Sequence, residues 1–452
     1  MKLDQKNVLV AGLGKSGMAA ARFLRDRGAR VTASDASGGS AGTVAELEKM
    51  GCILELGGHR METFENQDLI VVSPGVPHTI ASLCRAREKG IPVIGEIELA
   101  SRFIREPIVA ITGTNGKTTT TTLVGEMLKA SGMDVFVGGN IGRPLIEYVS
   151  GPSADRVVVE ISSFQLDTIV DFRPDVAVLL NISPDHLDRY AGMPAYAASK
   201  ARIFENQSFR DTAILNGRDA WTLQFEENIR ARKLYFDGRK PGRFGADIKD
   251  GRLALHLENS NARTVDLSEF GLVGRHNLEN ASAACLAALA AGGSLEAVTA
   301  VLNRFEGLAH RVQYAGSVCG VEFYDDSKAT TVDSVKRALE CFGRPVILIM
   351  GGLAKGCDFQ DLSAPVRKIC KKIIAIGEAA GEISAVLGPV CPGGVDKAIT
   401  MEDAVARAFY HAVSGDTVLL SPACASFDMF SGYAQRGERF CQAIQKLRTA
   451  NR

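Results

Sequence analysis

Residues 111–120, ITGTNGKTTT, decide how the rest of the chain is read. A full nucleotide-phosphate loop, G-x-x-x-x-G-K-[ST], would have a glycine where Ile111 stands. The position of the stretch outweighs that missing glycine. Behind Pro107, residues 108–112 read as a buried apolar strand, and a helix is expected from about Lys117. At such a turn the first backbone N–H groups of the helix lack partners, and the helix dipole favours an anion. Gly113, Thr114, Asn115 and Gly116 would form the cradle, with Thr119 in the first helical turn. Lys117 would bring positive charge to the β- and γ-phosphates of a nucleoside triphosphate, and Thr118 a hydroxyl for Mg²⁺. The plain alternative is a glycine turn with a solvated lysine. Strand, loop and helix together argue against it.

On either side the chain repeats the same kind of unit. Upstream, NVLVAGLG reads as a strand entering a glycine turn, residues 18–27 as a helix, and ARVTASD as a strand ending at Asp35. LIVVSPGVP is a further strand closing on a turn. Strands alternating with helices imply a parallel sheet covered on both faces. Downstream, ADRVVVEISSFQL and PDVAVLLNISPDHLD hold continuous apolar runs, as strands buried on both faces should. Around 211–275 the runs shorten and alternate, which predicts a small antiparallel patch. GRHNLENASAACLAALAAGG predicts a helix with Asn277 as N-cap and Gly292–Gly293 as its end. A third unit starts near 308, with strands in VEFYDD, RPVILIMGG, KKIIAIG and DTVLLSPA.

The expected fold is therefore α/β in three domains, each on a mostly parallel sheet. Residues 1–96 would be Rossmann-like, 97–307 P-loop ATPase-like with the antiparallel patch, and 308–452 Rossmann-like. The length of 452 residues suits several domains. Lys+Arg and Asp+Glu balance at 52 each, so no charge excess points to a nucleic acid or a membrane surface. Residues 281–291, a run of small apolar side chains, are too few to span a bilayer, which takes about 20. Ten cysteines without a C-x-x-C pair suggest reduced thiols, hence a cytoplasmic location. Asp4 and Lys6 interrupt any apolar core at the N-terminus, which argues against a secretory leader.

Chemistry-bearing residues gather at strand ends. Glu160 closes the run VVVE, where a carboxylate would face the ligand crevice of an open α/β sheet. His186 follows the next apolar run and lies among Asp185 and Asp188, a pattern that suits a metal ligand. Lys200, in PAYAASKARIFEN, reads by itself as a solvated helical lysine. Asn277 and Asn280 could cap a helix or read an adenine edge, since an amide both donates and accepts. Asp326 and Lys328 in a strand-to-helix loop suit a ribose and a phosphate, while Arg311, Lys355 and Ser426 stand at further turns. A second glycine loop, Gly12, Gly14 and Gly17, would bind a pyrophosphate at its helix start. With Asp35 downstream it fits NAD or a UDP-sugar, and the motif alone does not separate them.

Taken in order, GTNGKTT, GNIG, EISSFQL, NISPDHLDRY, GRHNLEN, AHR, DDSKATT, GGLAKGCDF and SPACASFDMF resemble the Mur ligase family over nearly the whole chain. The shorter G-x-x-G-K-T loop is that family's own form. With the N-terminal GLGKSG domain, the last motifs are most similar to the branch that adds D-glutamate. The resemblance implies that ATP phosphorylates the carboxylate of UDP-N-acetylmuramoyl-L-alanine, and that the amine of D-glutamate attacks the acyl phosphate. The product would be a peptidoglycan precursor. It implies that Lys117 and Thr118 bind the triphosphate and its Mg²⁺, and that Glu160 holds that ion. His186 and Lys200 would hold a second Mg²⁺, with Lys200 carbamylated by CO₂. Asn140 would sit by the reacting carboxylate and Asn280 by adenine, with Arg311, Asp326 and Lys328 completing the nucleotide site. Thr330, Lys355, Ser426, Phe427 and Tyr433 would surround D-glutamate. Lys15, Ser16, Asp35, Ser73 and Gly75 would take the uridine side, as UDP rather than NAD. A monomer is expected. A folylpolyglutamate synthase would lack such a first domain, and an NAD-dependent dehydrogenase would leave Lys117 and His186 without a task.

Overall fold

Five short strands open the chain: β1 (Asn7–Ala11), β2 (Arg30–Asp35), β3 (Ile53–Leu56), β4 (Leu69–Val72) and β5 (Val93–Gly95). They form one parallel sheet in the order β3-β2-β1-β4-β5. The chain runs outward from β1 and then returns beside it as β4, so a crevice opens at the carboxyl ends of these two strands. The computed structural model describes residues 1–238, 240, 242–249, 251–257, 263–267, 270–272, 274–354, 356 and 358–450.

The second sheet has nine strands: β6 (Ile108–Thr112), β7 (Val135–Gly139), β8 (Arg156–Glu160), β9 (Val176–Leu179), β10 (Thr212–Asn216), β11 (Arg232–Phe236), β12 (Gly245–Lys249), β13 (Arg252–His256) and β14 (Arg263–Asp266). Their order is β14-β13-β12-β11-β10-β9-β6-β8-β7. Buried β6 is flanked by β8 and β9, with Ile111 opposite Glu160 on one side and Val178 on the other. This register brings the loops after β6, β8 and β9 to one edge. The antiparallel part is smaller than expected. β10 and β11 continue the parallel sheet, and only β12, β13 and β14 pair antiparallel. The TAILN and RKLYF runs are short enough to be mistaken for hairpin strands, since periodicity alone does not fix strand direction.

The third sheet comprises β15 (Gln313–Val318), β16 (Val321–Asp325), β17 (Val346–Gly351), β18 (Cys370–Ile376), β19 (Val395–Lys397) and β20 (Thr417–Leu420) in the order β15-β16-β20-β17-β18-β19. It is parallel except for the β15–β16 hairpin, an edge strand that the sequence reading did not contain. The first two sheets belong to one compact unit of the chain and the third sheet to a second.

Two helix starts differ from expectation. The first helix is Lys15–Asp26, three residues earlier than read, because Lys15, Ser16 and Gly17 already form its first turn, with Met18 N–H donating to Gly14 O at 2.9 Å. Asn277 is not an N-cap. The helix is Arg275–Ala290, and Asn277 N–H donates to the carbonyl of Gly274 at 3.1 Å. Among the described residues no helix is long and apolar enough to cross a membrane, and the nine described cysteines are free thiols.

Candidate active site

The loop after β6 is held from several sides. Gly113 and Gly116 take φ of +153° and +83°, which glycine adopts without steric cost. Thr114 N–H donates to Asn181 O at 2.8 Å, and Asn115 N–H to Asn181 Oδ1 at 2.9 Å. Asn181 Nδ2 returns a bond to Asn115 O at 3.1 Å. The Thr114 hydroxyl lies 3.2 Å from both Ser183 O and the Tyr196 hydroxyl. A Cβ on Gly116 would sit 2.1 Å from Asn280 Oδ1, so the buried Asn280 amide braces the loop directly. The helix Lys117–Ala130 follows at once, with Thr118 in its first turn and Thr119 buried.

Two lysines meet on this loop. Lys117 Nζ donates to Gly113 O at 2.8 Å and to Thr114 O at 2.9 Å, and Lys200 Nζ donates to the same Gly113 O at 2.8 Å. Lys200 is not the solvated lysine that its helix suggested. It is 1% exposed, and its ammonium lies 4.7 Å from the Tyr196 ring centre. Burial pushes its pKa well below the ordinary lysine value, and Lys117 pushes the same way, against Asp185, Asp167 and Glu160. An uncharged amine is thereby favoured.

Glu160 ends β8 and is 2% exposed. Its Oε1 accepts from Asn140 Nδ2 at 2.8 Å, and its backbone carbonyl from Asn140 N–H at 2.8 Å. Its Oε2 is buried with no hydrogen-bond partner. A buried carboxylate oxygen left over is costly without a cation or donor, which fits a Mg²⁺ ligand. Among the described residues no three His, Cys, Asp or Glu side chains gather as a metal cluster.

His186 adopts φ of +53°, a left-handed setting uncommon outside glycine. Its ring packs 4.8 Å from Phe164, and Asp185 lies 3.5 Å from its Nε2. Burial lowers its pKa, with Lys200 and Lys117 adding to that effect, while Asp185 and Asp188 oppose it. A neutral imidazole keeps a lone pair for a metal or a substrate proton.

The crevice at β1 and β4 is a cavity of about 350 Å³. Lys15, Ser16, Asp35, Ser73 and Gly75 all line it, together with His59, which sequence reasoning missed. A Cβ on Gly17 would fall 1.9 Å from Gly12 O, so only glycine lets the helix start this close to the turn. Ser73 Oγ donates to Gly12 O at 2.6 Å. Asp35 accepts from Leu13 N–H at 2.7 Å and from Ser37 N–H at 2.8 Å. Burial alone would raise its pKa, but the bonds from Ser37 and Leu13, with His59 nearby, hold it below the ordinary carboxylate value.

In the second unit, Asp326 is buried and accepts from Ser421 Oγ at 2.8 Å. Burial pushes its pKa up to about 7, against the Ser421 bond and the Arg311 charge. Lys328 Nζ lies 5.2 Å from the Tyr433 ring centre. Ser426 is buried, whereas Thr330 and Phe427 are exposed. Lys355 lies outside the described residues. Sequence reasoning missed Arg436. This fully buried guanidinium donates to Ser327 Oγ at 3.0 Å, Ser327 O at 2.8 Å and Cys424 O at 3.1 Å. It thereby ties the loops after β16 and β20 together.

Three family models match consecutive parts of the chain: "Mur ligase MurD-like, N-terminal domain" at residues 6–95, "Mur ligase middle domain" at 111–288, and "Mur ligase, glutamate ligase domain" at 310–424. The chain belongs to the Mur ligase family. Relatives named UDP-N-acetylmuramoylalanine–D-glutamate ligase include those of Desulfosudis oleivorans, 50% identical over 99% of this chain and 98% of the relative, and Desulfatibacillum aliphaticivorans, 50% identical over 99% and 100%. Solved Mur ligase folds agree at low identity. A pseudomurein peptide ligase type C from Methanothermus fervidus is 21% identical with a TM-score of 0.62, covering 98% of this chain and 100% of that one. A UDP-N-acetylmuramate-alanine ligase from Thermotoga maritima is 18% identical with a TM-score of 0.58, covering 98% and 99%. Family membership gives the GLGKSG loop a place in a Mur ligase N-terminal domain, and the NAD reading loses its footing.

Proposed function

We propose that this chain is an ATP-dependent, ADP-forming ligase that joins D-glutamate to UDP-N-acetylmuramoyl-L-alanine through an acyl phosphate, making a peptidoglycan precursor. One observation carries the chemistry: Lys117 and Lys200 share the Gly113 carbonyl of a helix-start loop in the electrostatic neighbourhood of Glu160. A carboxylate is a poor acyl donor, and every reactant is an anion, so cations and N–H donors must stand where charge develops. The names of the full-length relatives support the choice of substrates.

In this reading residues 113–119 and Lys117 hold the triphosphate. Thr118 and Glu160 would take one Mg²⁺, and His186 with modified Lys200 a second. When bound, Mg²⁺ supplies neutralising charge to phosphoryl oxygens. The neutral Lys200 amine would attack CO₂, forming an N–C bond while a C=O π pair moves to oxygen, and would release one proton, so that an uncharged amine becomes an anion. Asn140 and His186 would orient the substrate carboxylate, and Asn140 also aims Glu160. Lys15, Ser16, Asp35, Ser73 and Gly75 would take the UDP end. Asn277, Asn280, Arg311, Asp326 and Lys328 are proposed for the nucleotide, and Thr330, Lys355, Ser426, Phe427 and Tyr433 for D-glutamate. The proposed domain limits are residues 1–96, 97–307 and 308–452.

The test is oxygen transfer. With the lactoyl-alanyl carboxylate of the substrate labelled with heavy oxygen, one label should appear in the inorganic phosphate formed with ATP, Mg²⁺ and D-glutamate. Amide formation with unlabelled phosphate would rule out the acyl phosphate. No amide formation would rule out the substrates.

A further inference from the structure

Lys15 is the first residue of the helix Lys15–Asp26 and lines the cavity beside β1 and β4. Its ammonium donates to the carbonyl of Gly142 in the turn after β7. That turn is closed by Gly139 N–H donating to Arg143 O at 2.8 Å, with Gly142 at φ +58°. Asn140 lies inside it. Asn140 donates from its backbone to Glu160 O and from its amide to Glu160 Oε1, both at 2.8 Å. Consecutive bonds therefore lead from the cavity to the buried carboxylate. A second link runs nearby. Arg189 donates to the carbonyl of Val76, a cavity residue, at 3.5 Å, and its guanidinium covers the Phe164 ring that packs on His186.

We propose that Lys15 is a positioning residue that couples a diphosphate in this cavity to the setting of Asn140 and Glu160. The inference rests on the proposed function, which assigns the cavity to the UDP end of the substrate. An ammonium has three N–H donors. One bond to Gly142 leaves two for a diphosphate, so the same side chain can hold anion and turn together. With the cavity empty, an exposed lysine on a carbonyl is a weak tie. A bound diphosphate anchors the ammonium, the ammonium anchors the turn, and the turn fixes the amide that aims Glu160. Such coupling is reciprocal, so a Mg²⁺-nucleotide held at Glu160 tightens the diphosphate by the same factor.

Calorimetric titration of a non-hydrolysable ATP analogue with Mg²⁺, with and without saturating UDP, tests this. In the unaltered protein, UDP is expected to tighten analogue binding by about fivefold or more. In Lys15→Met that factor should fall to about one at a UDP concentration raised to saturate the variant. Lys15→Arg, which can still bridge anion and carbonyl, should retain most of it. Lys15 is exposed at a helix start, so equal thermal melts are expected for all three proteins. A full coupling factor in Lys15→Met overturns the proposal, as does an unaltered protein that binds UDP without coupling, which leaves the substrate reading intact. An unaltered protein that fails to bind UDP overturns both.

Discussion

Lys200 shows how far a residue's meaning depends on what folds around it. In sequence it is one lysine in an ordinary helix, and nothing in PAYAASKARIFEN says that the side chain turns inward. Only its family resemblance pointed to chemistry. The structure buries it against the phosphate loop beside a second lysine, where the charged form is disfavoured. Lys200→Ala is expected to lose most ligase activity and to regain part of it with added short carboxylates. Absence of rescue would count against a carbamate. Glu96 was equally illegible. It is 2% exposed, its Oε1 accepts from Ile146 N–H at 2.6 Å, and burial pushes its pKa from 4.5 up to about 7. The folded state thus keeps this proton at pH values where the unfolded chain has lost it. Its stabilising effect is complete below about pH 4.5 and declines as pH rises to about 7, by of order 3 kcal/mol. Glu96→Gln should flatten that part of the stability profile in urea titrations at successive pH values. An unchanged slope would show that Glu96 titrates normally.

Elements were more legible than residues, because their signals are patterns and not single side chains. The strand 108–112 and the helix start at Lys117 appear where the apolar run and the glycine loop place them. The misread parts share a cause. β10 and β11 are short apolar runs whose direction depends on neighbours distant in sequence, and the β15–β16 hairpin lies at an edge where alternation is weak. Glycines at loops carry steric content that sequence shows only as composition. Gly116→Ala places a Cβ against Asn280 at positive φ, and should weaken nucleotide binding by about tenfold or more, the equivalent of at least 1.4 kcal/mol. Unchanged affinity by calorimetry would mean that the loop relaxes freely. Arg436 pins two loop ends of the third sheet, and its loss removes the guanidinium donors to Ser327 O and Cys424 O. Arg436→Met is therefore expected to cost about 3 kcal/mol or more in urea denaturation. A change near zero would show that water replaces the guanidinium.

At the scale of the whole molecule, one topological rule is used three times. Each sheet is mostly parallel, and each places the residues proposed for the site at or just past the carboxyl ends of strands: Lys15 and Ser73 on the first, Lys117, Glu160 and His186 on the second, Asp326 and Ser426 on the third. This was readable because an alternating strand-and-helix pattern constrains topology strongly. The companions of these residues were not, since Asn181, His59 and Arg436 come from segments whose proximity only the fold creates. Phosphate release should be measured with ATP, Mg²⁺ and UDP-N-acetylmuramoyl-L-alanine, adding D-glutamate, L-glutamate or neither. Release that depends on D-glutamate alone is the expected result. Release with L-glutamate or with neither amino acid, and no further release on adding D-glutamate, would contradict the account.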